Sequence, residues 1–211
     1  MPRVRGRPPA ADPDLAEALD RYARVVVDVG CGDGRFTLRL AARDPEALVI
    51  GLDAETGRLG RAMAMARRRR IGNLRFLTWS MERPLDVLEA RADELQVVMP
   101  WGSLLDGVLG ADTEVLDNLL RMGKPGARLR AVVNCRPWDA PASVDDKLAS
   151  TPEPTPEMLD ELRRRYAARG WRMSEPTWLS QEQARALGSS WVSRVVSSRR
   201  AMLLEIVAVR G

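Results

Sequence analysis

The run Asp28-Val29-Gly30-Cys31-Gly32-Asp33-Gly34 follows a short β-branched segment, Arg24 to Val29, and joins an acid to three alternate glycines. Glycine lets the chain turn sharply and lets a ligand approach the main chain where a Cβ would collide. A dinucleotide fingerprint would need its third glycine at the position held by Arg35, so the spacing disfavours a nicotinamide dinucleotide. An acid opening such a turn repels a pyrophosphate and suits a cofactor with an ammonium group. S-adenosylmethionine meets that demand. Asp53 ends a second apolar strand, where a carboxylate can accept both hydroxyls of an adenosine ribose. Trp79-Ser80-Met81-Glu82 ends the third, where backbone and apolar side chains bracket an adenine ring. For Met81, core packing and cofactor contact remain equally open. The expected cofactor set is Asp28, Gly30, Gly32, Gly34, Asp53, Met81, Glu82 and Met99.

The chain has no histidine and only Cys31 and Cys135 as cysteines, which removes most zinc sites, every imidazole triad and any histidine base. No metal is expected. A methyl acceptor that already carries an available lone pair, such as adenine N1, needs orientation more than a base. The fourth strand runs into Met99-Pro100-Trp101-Gly102-Ser103, which sets an aromatic at the carboxyl edge of the sheet, where ligands bind. Trp191 comes from another long connection. Two such indoles can sandwich a flipped base or simply pack against the core.

These residues need a scaffold, and the pattern supplies one. Strands are expected at Arg24 to Val29, Leu48 to Leu52, Asn73 to Thr78, Leu95 to Met99 and Arg128 to Val133, the last following a Lys124-Pro125-Gly126 turn. Helices are expected at Phe36 to Ala42, Glu55 to Arg70 with Leu59, Met63 and Ala66 on one face, Thr113 to Met122 and Pro156 to Arg169. Trp171 to Leu179 and Ala201 to Val209 close the set. Alternating strands and helices imply a mostly parallel sheet. We expect an N-terminal extension at 1–23 and a single domain at 24–211, with functional connections at 100–112, 136–156 and 180–200. The 211 residues suit one α/β domain, 45% hydrophobic without a membrane-length apolar run. A cytoplasmic monomer without membrane contact is the expectation. Net charge is only +4, but Arg67, Arg68, Arg69 and Arg70, and Arg194, Arg199 and Arg200, are clustered. Such a field steers a polyanion, or is a solvated surface.

VVVDVGCGDGRF, VMPWGSLLDGVLG, the PEPTP linker and SSWVSRVVSSRR together resemble the aminoglycoside-resistance methyltransferases of the kanamycin-apramycin type. The resemblance spans Val25 to the last strand. It implies a class I S-adenosylmethionine-dependent methyltransferase fold, a Rossmann-like, mostly parallel seven-stranded sheet with helices on both faces. It also implies methylation of adenine N1 in the decoding site of 16S rRNA in the 30S ribosomal subunit. By the same resemblance Trp101 and Trp191 stack on the target base, Ser189 and Glu82 position base or cofactor, and the arginine clusters grip the RNA backbone. One alternative is a transfer-RNA guanine-N7 methyltransferase, which shares the early motif but carries lysines after strand four, where this chain has Gly102-Ser103. A non-catalytic RNA-binding module is the other.

Overall fold

The computed structural model describes residues 13–55, 57–81, 83, 85–110, 112–135, 154–189, 192–193, 196 and 202–211. The β-branched run forms β1 (Arg24–Val29), flanked on one side by β2 (Ala47–Asp53) and β3 (Leu74–Thr78), and on the other by β4 (Ala92–Val98) and β5 (Gly123–Asn134). These five are parallel. A strand β8 (Leu203–Arg210) returns antiparallel beside β5. The short β6 (Trp171–Met173) and β7 (Thr177–Leu179) share its outer edge. The sheet therefore has eight segments in seven positions. The single strand expected at 171–179 is interrupted at 174–176, where Pro176 has no N–H for a ladder bond.

Helices cover both faces. The larger core packs α1 (Pro13–Arg21), α4 (Gly102–Val108), α5 (Thr113–Met122) and α6 (Pro156–Ala168) on one side. On the other lie α2 (Arg35–Arg43), α3 (Gly60–Arg68) and α7 (Gln181–Leu187). This is the expected Rossmann-like arrangement with several corrections. Residues 13–21, read as part of an extension, form a helix whose Leu15, Ala18 and Leu19 are buried in the main core. Helix α3 starts five residues later than expected, and its buried face is Leu59, Ala62 and Ala66, leaving Met63 44% exposed. The Lys124-Pro125-Gly126 turn lies inside β5, whose first residue pairs with Ala92 before the register shifts. The connections at 100–112 and 180–200 contain α4 and α7, short helices without a long apolar period. Sequence did signal their neighbours' starts: Asp112 accepts from the amides of Glu114 and Val115 to cap α5, and Pro156 opens α6 behind Thr155. No helix among the described residues is long and apolar enough to cross a membrane.

Helix α4 is tied down on both sides. The Tyr166 hydroxyl donates to the Val108 carbonyl at 2.8 Å in the core, and Gly107 lies so close to α5 that an added Cβ would meet Val115 at 2.4 Å. Gly107→Ala is therefore expected to lower the unfolding free energy by about 1–3 kcal/mol, the cost of overpacking a close contact. Urea denaturation reads it, and unchanged stability would mean that α4 is free to move away from α5.

Candidate functional site

Strand order reverses direction between β1 and β4, and the carboxyl ends of these strands open a cleft of about 450 Å³. Such a crevice is where open α/β sheets bind ligands, and the volume suits a small organic molecule. The turn after β1 forms one wall. Gly30, Gly32 and Gly34 all have positive φ, which explains the glycine choice, but their roles differ. A Cβ at Gly32 would meet nothing within 4 Å, so this backbone faces open space. Gly34 does not line the cleft: a Cβ there would strike Phe76 at 2.8 Å and Leu59 at 2.9 Å. Its part is to let α2 start close against α3 and β3. The amides of Gly30 and Cys31 donate to the Leu52 carbonyl at 2.8 and 2.9 Å, locking the turn to β2.

Asp53 sits at the end of β2 with both carboxylate oxygens engaged: Gly32 N–H donates to Oδ2 at 2.7 Å and Glu55 N–H to Oδ1 at 2.9 Å. Each oxygen keeps a further lone pair for a hydroxyl donor. Asp28 is 2% exposed yet lines the cleft. Its Oδ2 accepts from the Thr37 hydroxyl at 2.6 Å. Burial pushes its carboxyl up to about 7, the Thr37 hydrogen bond works against that rise, and neighbouring Asp53 adds to it. Burial also raises the Cys31 thiol, with Asp28 and Asp53 contributing, so this cysteine stays neutral and unreactive.

Among the described residues, Asp28, Asp33, Asp53 and Glu55 line the cleft against a single guanidinium, Arg58, which pairs with Glu55 at 3.4 Å. An excess of carboxylate with one member buried fits a cationic ligand and opposes a pyrophosphate. S-adenosylmethionine, with its sulfonium, ammonium and ribose diol, fits the donor set.

The third wall comes from the segment after β3. Trp79 N–H donates to the Asp53 carbonyl at 2.8 Å and its indole N–H to the Arg83 carbonyl at 3.0 Å. Met81 belongs to both readings, being part of the main core and of the cleft lining. Its carbonyl accepts from buried Asn118 of α5 at 2.7 Å. After β4, Met99 has φ +58, an unusual backbone for a non-glycine residue. Trp101 follows as the N-cap of α4, half-buried at the cleft. Buried Ser189 reaches the cleft from beyond α7, its carbonyl accepting from the Ser193 amide and hydroxyl at 3.1 and 3.0 Å. Thus Asp28, Gly30, Gly32, Asp53, Met81, Met99, Trp101 and Ser189 come together in one cleft.

Glu82, Trp191, Arg194, Arg199 and Arg200, with most of the connection at 136–156, lie outside the described residues. Arg67, Arg68, Arg69 and Arg70 are exposed at the end of α3. Because α3 runs from the carboxyl end of β2 back to the start of β3, they sit about 13 Å from the helix start, toward the opposite edge of the sheet. Arg58 at the cleft and exposed Arg61 extend this basic surface along α3. Sequence reading missed Arg58, Asn118 and Thr37. The first two carry no motif, and Thr37 follows the glycine turn in a position that looked like helix filling.

The chain matches the family model NpmA, 16S rRNA (adenine(1408)-N(1))-methyltransferase, over residues 3–210. The 16S rRNA (adenine(1408)-N(1))-methyltransferase of Streptoalloteichus hindustanus is 37% identical over 194 residues, 90% of this chain and 88% of the relative. The crystal structure of the 16S rRNA methyltransferase KamB superposes with a TM-score of 0.81 at 36% identity, covering 95% of this chain and 94% of that one. A point variant of the Catenulisporales acidiphilia 16S rRNA (adenine(1408)-N(1))-methyltransferase, solved with its cosubstrate SAM, gives a TM-score of 0.81 at 31% identity, covering 93% and 90%.

Asp53→Ala is expected to weaken S-adenosylmethionine binding by about 1.5–3 kcal/mol, the scale of hydrogen bonds to a charged group. Calorimetry measures it, and unchanged affinity would remove Asp53 from the site.

Proposed function

From the premise that the chain belongs to the 16S rRNA (adenine(1408)-N(1))-methyltransferase family, we propose that it methylates N1 of that adenine in the decoding site of 16S rRNA. The substrate is the assembled 30S subunit, the enzyme acts as a monomer in the cytoplasm, and the outcome is aminoglycoside resistance. The observation that carries this reading is the acid-lined cleft at the strand-order reversal, with a half-buried indole, Trp101, on its wall beside the cofactor position.

S-adenosylmethionine supplies a methyl group on a positively charged sulfur. Asp28 answers the cofactor's ammonium and Asp53 its ribose hydroxyls, while Met81, with Glu82 beside it, borders the adenine. Trp101 and Trp191 hold the extruded base between their faces. Ser189 positions the base from the far wall. No side chain has to remove a proton, because N1 attacks with a lone pair it already has. The methylated ring becomes cationic, which an indole face favours. Arg67 to Arg70, with Arg194, Arg199 and Arg200, hold phosphates and supply most of the affinity for the subunit. Incubation of purified 30S subunits with the enzyme and labelled cofactor, followed by primer extension, tests the reading. A reverse-transcription stop at the decoding-site adenine is expected, and the absence of label in any RNA would leave only a binding module.

Stacking on an aromatic side chain is worth about 1–3 kcal/mol per base by alanine substitution. Trp101→Ala and Trp191→Ala should therefore bind cofactor and subunits nearly normally yet lose most methyl transfer, with partial rescue by Phe. Wild-type rates in either alanine variant, or a defect mainly in cofactor binding, would remove that tryptophan from the base.

For each phosphate that the patch at Arg67 to Arg70 no longer holds, the plot of log affinity against log salt should flatten by roughly 0.7–0.9. A quadruple alanine variant with the wild-type slope on 30S subunits would make that patch a solvated surface.

A further inference from the structure

Thr37 is fully buried in the first turns of α2, among apolar neighbours Phe36 and Leu38. A hydroxyl in that setting must find a partner or cost stability. Its partner is Asp28, whose Oδ2 accepts from the hydroxyl at 2.6 Å. Asp28, whose carboxylate is so engaged, is one of the residues that line the cleft. We propose that Thr37 is a positioning residue of the cofactor site, whose hydroxyl fixes the Asp28 carboxylate in place and keeps it ionised for the ammonium of the methyl donor. The inference rests on the assignment of Asp28 to that ammonium and adds a residue that never touches the ligand.

The surroundings of Asp28 give Thr37 this task. Asp53, at the end of β2, and the neutral thiol of Cys31, in the glycine turn, are the titratable groups beside it. In register on either side stand Gly51 of β2 and neutral Gln96 of β4. None of these favours a negative charge. Burial and Asp53 both press the carboxyl toward the protonated form, and the Thr37 hydrogen bond is the influence that opposes them. A protonated Asp28 has no charge to offer an ammonium, so cofactor affinity should fall as pH drops through the range near 7. Removing the hydroxyl should move that fall to higher pH.

The test is calorimetric titration with S-adenosylhomocysteine, which keeps the ammonium and cannot react, between pH 5.5 and 8.5. Wild type should bind with constant affinity at the alkaline end and lose up to about tenfold per pH unit below the midpoint. Thr37→Val should be about tenfold weaker at pH 7, with the gap closing toward pH 8.5, if the missing bond is worth a pH unit or more. Thr37→Ser should follow wild type, and Thr37→Ala serves if the valine variant does not fold. A loss equal at every pH, or a curve superimposed on wild type, overturns the proposal. A wild-type curve flat across the range overturns it without any variant. Asp28→Asn should bind weakly and without pH dependence in this range. Wild-type affinity in that variant would instead refute the Asp28–ammonium contact.

Discussion

A carboxylate buried beside a second carboxylate, answered by one hydroxyl, is the constraint around which this site is built. Asp28 is almost wholly buried, and its pKa rises from an ordinary 3.8 to about 7. The folded chain therefore holds the proton more tightly than the unfolded chain. Between these values folding stability declines as pH rises, by on the order of 4 kcal/mol for this group alone. Below 3.8 both states are protonated and nothing is lost; above about 7 the full cost is present. A cation beside the carboxylate favours its ionised form and so opposes that cost.

The rest of the fold serves to hold that arrangement still. The glycine turn is bonded to Leu52 and to Asp53, which ties the ends of β1 and β2 together. Asn118 reaches from α5 to fix the Met81 carbonyl, and Tyr166 of α6 fixes the end of α4 behind Trp101. Elements far apart in sequence thus converge on one sheet edge. Contacts that lock by backbone and buried hydrogen bonds give the precision that methyl transfer needs, because the acceptor must lie in line with the bond being broken.

What could be read from sequence follows from which features are local. The run from Arg24 to Gly34 states its own structure, since β-branched residues followed by alternate glycines leave little choice but a buried strand and a tight turn. Helix α5 was legible to the residue because its apolar period is regular, and the structure adds the Asp112 cap that fixes its start. Met63 was misplaced because positions 62 and 63 both lie beside Leu59 and Ala66 on a helix, and the larger apolar side chain looked like the buried one; the close approach of Gly34 selects the small Ala62 instead. Gly34 looked like a ligand glycine, but only the approach of Phe76 and Leu59, distant in sequence, reveals a packing role. Thr37 and Asn118 were invisible for the same reason: a hydrogen bond across layers leaves no period, spacing or composition behind. Helix α1 was hidden by the proline-rich stretch before it, although Leu15, Ala18 and Leu19 have helical spacing.

Charge also dictates how an RNA can be used as substrate. The cleft is lined by Asp28, Asp33, Asp53 and Glu55 with one pairing guanidinium, a field that attracts a sulfonium and repels phosphate. A row of exposed arginines, Arg61 and Arg67 to Arg70, lies outside its lining, from the start of α3 to just past its end. A nucleic acid bound to both surfaces must keep its backbone on the basic side and send only an uncharged base into the acidic one. The proposed base extrusion would bring the acceptor nitrogen to the donor without carrying a phosphate into repulsive surroundings. The same acidic field acts on the product, because a base methylated at N1 carries positive charge while the spent cofactor has lost its own. Total charge is conserved through the transfer, since the sulfonium charge lost by the donor reappears on the methylated ring, and a cleft richer in carboxylates than in guanidinium groups does not oppose it.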